Sequence, residues 1–202
     1  SGLHLNISVS PSGVQQRSRL LNATTSPNAL IREAVMASSA IPGLFPAVTL
    51  AARYDKRISL SLSDPWCADR HREALSKFCH DHVDILFANE DEAASLCESS
   101  GDAARDLLCG KVDEVIITRG ADGAFVGCGD DRHEIPAMPL GAVADTTGAG
   151  DLFASGYLYG RTNGHSVRQS GVIASIAAGE VISHIGARPD QDLAALVAAA
   201  NL

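Results

Sequence analysis

From about Arg57 onward, short apolar strands alternate with stretches of helical spacing, and this order constrains the fold more than any other feature. Buried-type runs at Ile58–Leu62, Val83–Ala88 and Val112–Thr118 are each followed by a segment with helical or turn character. Strands that are joined by helices form βαβ units, whose strands pair in parallel. The sequence therefore predicts an α/β fold with a mainly parallel sheet flanked by helices.

Other elements are predicted on both sides of these strands. Strands at Ala124–Gly127 and His133–Pro136 form a hairpin across Gly127–Asp131. Near the start of the chain, an alternating strand is predicted at Leu3–Val9 and a helix at Ala29–Ser39, which follows a Ser-Pro-Asn start signal. The remaining predicted helices cover residues 69–78, 90–98, 103–109, 149–159, 165–184 and 190–199.

Charge and cysteine placement exclude several kinds of protein. A net charge of −8 over 202 residues argues against a nucleic-acid binder with a general basic surface. Apolar stretches are short, and the first residues lack the pattern of a secretory signal, so we expect no membrane segment. The five scattered cysteines argue against a disulfide framework and favour the reducing cytoplasm. Cys79–His82 has no second ligand pair at zinc spacing, which favours a helix end and polar turn.

A glycine-rich turn, Asp145–Asp151, is the segment that most clearly indicates chemistry. The small residues Gly148, Ala149 and Gly150 let backbone N–H groups approach an anion, and they begin a predicted helix whose N-terminus carries partial positive charge. Asp151 lies in the first turn, where a carboxylate either caps the helix or accepts a proton from a hydroxyl held beside a phosphate. From these residues alone, phosphate chemistry and a structural turn both remain open.

Four motifs, in this order along the chain, resemble the ribokinase-like (PfkB) family of carbohydrate and nucleoside kinases. Asn89–Ala93 resembles the family's N-x-x-E motif, and Thr118–Gly123 resembles its strand-end T-x-G-x-x-G. Residues 145–153 resemble the C-terminal signature, and the closing segment Ile185–Pro189 is similar to the last motif. The stretch Leu60–Cys67 is especially similar to bacterial adenosine-kinase-like members. The resemblance implies a ribokinase-like fold that is incomplete in this chain.

The resemblance also implies roles for the residues of the glycine-rich turn. Asp151 would be the base that deprotonates the acceptor hydroxyl, and Gly148–Gly150 would form the anion hole for the transferring phosphoryl group. Backbone groups around Asp145 and Thr147 would hold a monovalent cation such as K⁺. Phosphoryl transfer depends on positioning and on charge neutralisation, so these roles agree with the chemistry of the residues.

Other matching residues would serve ATP and Mg²⁺. Asn89 and Glu92 are three apart at a helix start, so both can face one site, where they would place Mg²⁺ and its waters near the nucleotide phosphates. The nucleotide side would be lined by Thr118, Gly120, Gly123 and Thr147.

Each of these residues also has a structural interpretation. Asn89 can cap the helix that it precedes, and Glu92 can be its capping-box partner; for Glu92 alone, the structural interpretation is favoured. The glycines after Thr118 can be turn residues, Arg119 a solvated charge, and Asp64 the end of a strand. The match of four motifs in order favours the functional interpretation.

The first fifty residues resemble another family, the patatin-like phospholipases. The similar stretches are Asn6–Pro11, Arg19–Asn28 and Ile31–Pro46. Those enzymes use a Ser–Asp dyad with the serine in a G-x-S-x-G elbow, and this chain contains no such elbow. Asp122–Ala124 matches the family's D-G-A pattern but lies inside the kinase-like turn, so we interpret it as coincidence.

The sequence thus predicts residues 1–55 as a patatin-like fragment of strand, loop and helix. Residues 56–202 are predicted as the ribokinase-like ATP-binding and catalytic part, with the resemblance covering roughly residues 52–202. The expected function is ATP-dependent phosphoryl transfer to a hydroxyl of a small-molecule nucleoside or sugar, impaired because the N-terminal acceptor-binding portion is missing. The alternatives are a nucleotide-binding module without turnover and, ranked lower, a patatin-type acyl hydrolase. A fragment of a natural fusion, an artefact and a designed chimera would each give this two-part chain.

Overall fold

A computed structural model describes residues 5–8, for the backbone, and residues 56–200. These residues fall into two compact units, divided between Asp113 and Glu114. The predicted helix Ala29–Ser39 and all but four residues of the predicted patatin-like segment lie outside the described residues. In the described ranges, no helix combines the length and the apolar character that crossing a bilayer requires.

The first unit contains parallel strands. Strand β1 (Leu5–Ser8) pairs with β2 (Ile58–Ser61), and β2 pairs with β3 (Ile85–Asn89), with Leu60 opposite Leu86. The apolar side chains of β2 and β3 are buried, as expected for strands of a parallel sheet that is covered by helices. The helices of this unit are α1 (Pro65–Arg70), α2 (Arg72–His82), α3 (Glu90–Cys97) and α4 (Gly101–Cys109).

The first helices begin earlier than the sequence predicts. Asp64 is the N-cap of α1, where its carboxylate accepts a hydrogen bond from the Cys67 N–H at 3.0 Å, and Pro65 takes the first helical position. The interpretation of Asp64 as a mere strand end therefore missed a helix start. The polar turn predicted at Cys79–His82 is instead the last turn of α2, which ends at His82.

The second unit begins with an antiparallel meander. Strand β4 (Glu114–Thr118) pairs with β5 (Ala124–Cys128), which pairs with β6 (Asp131–Ile135). The predicted hairpin is confirmed, and its turn is tighter than expected because Cys128 lies directly opposite Asp131. The parallel pairing predicted for the sheet is found in the first unit, whereas these strands are antiparallel. The α/β class is confirmed.

Three helices complete the second unit. They are α5 (Ala149–Thr162), α6 (Val167–Val181) and α7 (Leu193–Ala199). Helices α5 and α6 pack closely: a Cβ added to Gly156 would lie 2.9 Å from Ala174 Cα, and one added to Gly160 would lie 2.8 Å from Ser170 Cα. Real Cβ atoms do not approach other heavy atoms this closely, so both contacts require glycine.

A buried charge cluster ties α5 to β4. The Glu114 side chain is 2% exposed, and its carboxylate accepts hydrogen bonds from Tyr157 Oη at 2.8 Å and from Arg161 Nε and Nη2 at 3.0 and 2.9 Å. Burial and the Glu114 carboxylate raise the pKa of Tyr157 above its ordinary range. The sequence analysis missed this cluster, because Glu114 is 43 and 47 positions away from its two partners along the chain.

Candidate active site

The start of α5 is built around one glycine. Gly148 is the N-cap, with φ 82° and ψ −2°, and it has no side chain that could cap the helix. A Cβ at this position would lie 2.7 Å from the Cβ of Ala187, so both the backbone conformation and the available space require glycine. The first N–H groups of a helix have no partner within the helix. Here Gly150 and Asp151, at the second and third helical positions, are exposed, and Asp151 is the acidic residue of the first turn.

The Asp145 carboxylate organises the turn that leads into α5. Its Oδ1 accepts hydrogen bonds from the backbone N–H of Thr147 at 2.9 Å and from Thr147 Oγ1 at 2.7 Å. Its Oδ2 accepts a hydrogen bond from the Gly186 N–H at 3.1 Å. The donors on Thr147, followed by that on Gly186, lower the pKa of Asp145 below its ordinary value. The structure thus brings Asp145, Thr147 and Gly148 together with the closing segment.

The turn after β4 holds three of the predicted nucleotide-side residues. Thr118 ends the strand, and a single 3₁₀ turn at Gly120–Asp122 leads to Gly123, whose carbonyl accepts a hydrogen bond from the Arg119 N–H at 2.8 Å. Gly123 has φ 84°, and a Cβ there would overlap the Ile135 carbonyl oxygen, so this glycine is required by packing. Gly120 is exposed at the tip of the turn.

A solvated charge was one interpretation that the sequence left open for Arg119, and the structure does not favour it. Its side chain is only 17% exposed and forms an ion pair with Glu134 on β6. Its Nη2 also donates to the Asp122 carbonyl oxygen at 3.1 Å. The guanidinium therefore braces the turn after β4, and the register of the β5–β6 hairpin brings the acidic partner to it.

Asn89 and Glu92 form a complete capping box at the start of α3, in the first unit. The Asn89 side chain accepts a hydrogen bond from the Glu92 N–H at 2.8 Å. Glu92 Oε2 accepts from the Asn89 N–H at 2.9 Å, and Oε1 accepts from Asn89 Nδ2 at 3.0 Å. Glu92 is 6% exposed, and its burial raises its pKa. The hydrogen bond from the Asn89 N–H lowers this pKa, and the negative charges of Asp64 and Asp91 raise it further. The structural interpretation of both residues is thereby confirmed.

The donor chemistry at Glu92 fits an oxygen-seeking cation. Each carboxylate oxygen accepts one hydrogen bond from Asn89, and a carboxylate has about four acceptor sites, so Glu92 retains capacity for a cation or its waters. Among the described residues, no group of three or more His, Cys, Asp and Glu could hold a metal by itself. Mg²⁺ does not need such a cage, because it usually binds through one or two carboxylates, substrate phosphates and water.

Two residues that the sequence analysis missed support the closing segment. Glu180, near the end of α6, is completely buried. Its Oε1 accepts hydrogen bonds from the N–H groups of Asp190 and Gln191, both at 3.0 Å, and His184 Nε2 lies 3.3 Å away. Burial lowers the pKa of His184, because it disfavours the charged imidazole. The hydrogen bond to Glu180, a hydrogen bond to the Ile185 backbone and the negative charge of Asp190 outweigh this effect, so the pKa is raised overall. The sequence signal for this arrangement is a glutamate that ends a mainly apolar run of the helix, just before a matched motif.

Residues 39–193 match the model of the pfkB family of carbohydrate kinases. The chain belongs to this family. The match begins at residue 39, so it overlaps the end of the segment that the sequence predicts as patatin-like. The division into two domains stays a prediction.

Named relatives agree with this family. A cytidine kinase from Thermococcus kodakarensis is 37% identical over 122 residues, which are 58% of this chain and 42% of that protein. The crystal structure of a probable sugar kinase from Rhizobium etli is 35% identical with a TM-score of 0.77, covering 81% of this chain and 50% of that one. Adenosine kinase from Sinorhizobium meliloti is 36% identical with a TM-score of 0.73, covering 76% and 48%. The chain thus spans at most about half the length of these kinases.

A lipase is also among the relatives. Triacylglycerol lipase 4 of Saccharomyces cerevisiae is 44% identical over 66 residues, which are 33% of this chain and 7% of that protein. This lipase and the patatin-like phospholipases, which the first fifty residues resemble, are both lipid hydrolases. It is a weak indication, and the patatin-like origin of the segment stays a prediction.

Proposed function

We propose that this chain carries the catalytic part of an ATP-dependent kinase, which transfers the γ-phosphoryl group to a hydroxyl of a nucleoside or sugar. The observation that carries the proposal is the exposed carboxylate of Asp151 in the first turn of α5, directly after a helix start that has a glycine for its cap. The kinases of cytidine and adenosine among the relatives support a nucleoside as acceptor, and the probable sugar kinase supports a sugar.

In this proposal, Asp151 accepts the proton of the acceptor hydroxyl. The hydroxyl oxygen forms a bond to the γ-phosphorus of ATP while the bond from that phosphorus to the β,γ-bridging oxygen breaks, which leaves ADP. The N–H groups of Gly148 and Gly150 and the positive end of the α5 dipole stabilise the charge on the phosphoryl oxygens, whereas the Ala149 N–H donates to the Thr146 carbonyl oxygen at 3.2 Å.

We assign supporting roles to the other motif residues. Asp145 and Thr147 hold the glycine-rich turn in shape, and backbone groups around them bind a monovalent cation such as K⁺. Asn89 and Glu92 would hold Mg²⁺ and its waters, and Mg²⁺ would supply charge neutralisation on the phosphates when bound. The residues assigned to the nucleotide side are Thr118, Gly120, Gly123 and Thr147.

A second candidate function is nucleotide binding without turnover. The chain spans about half the length of the kinases of known structure that it matches, so the turnover of those whole proteins does not by itself carry over to it. Binding of a non-hydrolysable ATP analogue, measured by titration calorimetry, combined with no product formation, would support this function.

The test of the kinase proposal is formation of ADP and phosphorylated product from ATP and adenosine, cytidine or ribose. Asp151→Asn should lower kcat by roughly 10²- to 10⁴-fold, the usual contribution of general acid–base catalysis. The matched control is Asp130→Asn, which neutralises an exposed aspartate in the β5–β6 turn and should leave kcat unchanged. Equal kcat in Asp151→Asn and wild type would remove Asp151 from the mechanism.

A further inference from the structure

Glu180 is a buried carboxylate that the proposed chemistry does not use. It lies in the last turns of α6 and is completely inaccessible to solvent. Burying a carboxylate is costly unless donors compensate it. Three donors surround this one: the Asp190 and Gln191 N–H groups at 3.0 Å, and His184 Nε2 at 3.3 Å from Oε1.

These contacts fix both ends of the segment that follows α6. One end leaves the helix after Val181, with the Ile182 N–H donating to the Ala178 carbonyl oxygen at 3.2 Å. The other end, at residues 190 and 191, is held by the Glu180 carboxylate. Because both anchors are on α6, the closing segment is a short loop that is closed on one helix.

The middle of this loop contacts the glycine-rich turn at two places. The Gly186 N–H donates to Asp145 Oδ2 at 3.1 Å. Ala187 occupies the space that a side chain on Gly148 would need, since an added Cβ would lie 2.7 Å from the Ala187 Cβ. The closing segment therefore helps Thr147 to orient the Asp145 carboxylate, and it limits the position of the α5 N-cap.

We propose that Glu180 is a positioning residue for phosphoryl transfer, because its buried carboxylate anchors the loop whose Gly186 and Ala187 hold the glycine-rich turn in place. Glu180 acts through Gly186 and Asp145, and it touches neither substrate nor the reacting atoms. The catalytic part of this inference rests on the proposed kinase function. Its structural part, the anchoring of the loop, can be measured independently of turnover.

The first measurement is amide hydrogen exchange at Gly186, followed by NMR. Glu180→Gln keeps the shape of the side chain and removes its charge, so it weakens the anchor while minimising unfolding. His184→Gln weakens the same anchor by replacing a neighbour of the carboxylate that is itself 18% exposed. Both variants should speed exchange at Gly186 by roughly fivefold or more, the equivalent of about one hydrogen bond. The control is Glu114→Gln, which neutralises another buried carboxylate of the same unit without touching this loop.

The second measurement is steady-state kinetics on the same variants. Displacement of the turn by a fraction of an ångström should lower kcat by roughly ten- to a hundredfold in Glu180→Gln, with a smaller change in KM for ATP. Glu114→Gln should lower the melting temperature without this selective loss of kcat. A merely structural Glu180 would lower stability and leave Gly186 exchange and kcat in line with those of the control.

The outcomes separate the two proposals. If the wild-type chain has no turnover, the kinase function fails, and exchange at Gly186 alone decides whether Glu180 anchors the turn. If exchange at Gly186 is the same in Glu180→Gln, His184→Gln and wild type, the role of Glu180 is overturned, whatever the activity. Faster exchange with an unchanged kcat would also overturn it, because the loop would then move without affecting the reaction.

Discussion

The starts of α3 and α5 both lie in matched motifs of the pfkB family, yet the two helices are capped in opposite ways. At α3, Asn89 and Glu92 cap each other with three hydrogen bonds, and Glu92 is buried. At α5, the cap is a glycine without a side chain, and the acidic residue, Asp151, is exposed. The comparison shows that a motif residue at a helix start can be committed to the fold or left available for a ligand. Geometry distinguishes the two cases where residue type does not.

Substitution of Gly148, the N-cap of α5, should cause the largest loss of stability among the variants that test this comparison. Gly148→Ala places a side chain at φ 82° and against Ala187, so we expect a loss of about 2–4 kcal/mol in the free energy of unfolding, together with a strong loss of turnover. The control is Gly164→Ala, at φ 84° with nothing within 4 Å, which should cost only about 1 kcal/mol. Denaturant unfolding of both variants measures the difference. Equal losses would show that backbone strain alone, and not the contact with Ala187, explains the need for glycine.

Removal of the acidic residue should destabilise the protein at one helix start and not at the other, with an effect of intermediate size. Glu92→Ala opens the capping box and leaves the partly buried Asn89 groups without their partner, so stability should fall by about 1–2 kcal/mol. Asp151→Ala removes an exposed carboxylate and should change stability by no more than about 0.5 kcal/mol. Asp91→Ala, in the exposed first turn of α3, controls for the loss of a charge near the helix dipole. If Asp151→Ala is as costly as Glu92→Ala, the contrast drawn here is wrong.

The smallest effect concerns pH, and its sign differs between the two motifs. Donors on Thr147 and Gly186 lower the pKa of Asp145, so its stabilising contribution is full above the ordinary value of 3.8 and is lost as pH falls through the folded-state value. Burial raises the pKa of Glu92, so its contribution has the opposite sign and weakens as pH rises above the ordinary value of 4.5. NMR titration of the carboxyl carbons measures both values. Shifts in the same direction at the two sites would contradict this account.

Features that depend on neighbours along the chain could be predicted from the sequence. The capping box of Asn89 and Glu92 is complete within four residues, and the β5–β6 hairpin closes over a two-residue turn, so both were predicted correctly. The glycine-rich turn was also placed correctly before a helix, which begins at Ala149 as expected. Local hydrogen-bonding patterns recur in many folds, and their sequence signals are therefore easy to recognise.

Features that depend on distant partners could not be predicted in this way. The sequence left open that Arg119 is a solvated charge, but strand register brings Glu134 to it from 15 positions away. Gly186 reaches Asp145 across 41 positions, and Glu114 is paired with Arg161 across 47. A polar residue in the sequence does not reveal whether tertiary packing will bury it and supply a partner. The supports of the candidate site are therefore less visible in the sequence than the residues they support.

The close contact between α5 and α6 has a mechanical consequence for the reaction. Gly156 and Gly160 lie so near Ala174 and Ser170 that only hydrogen atoms fit between the helices. A helix seated in this way cannot turn about its own axis without driving bulkier neighbours into its partner. The direction in which the first turn presents Asp151 is thus fixed by the contact between α5 and α6, which begins at Gly156, five residues farther along the helix. The direction of the proposed base therefore depends on two positions, Gly156 and Gly160, that have no side chain.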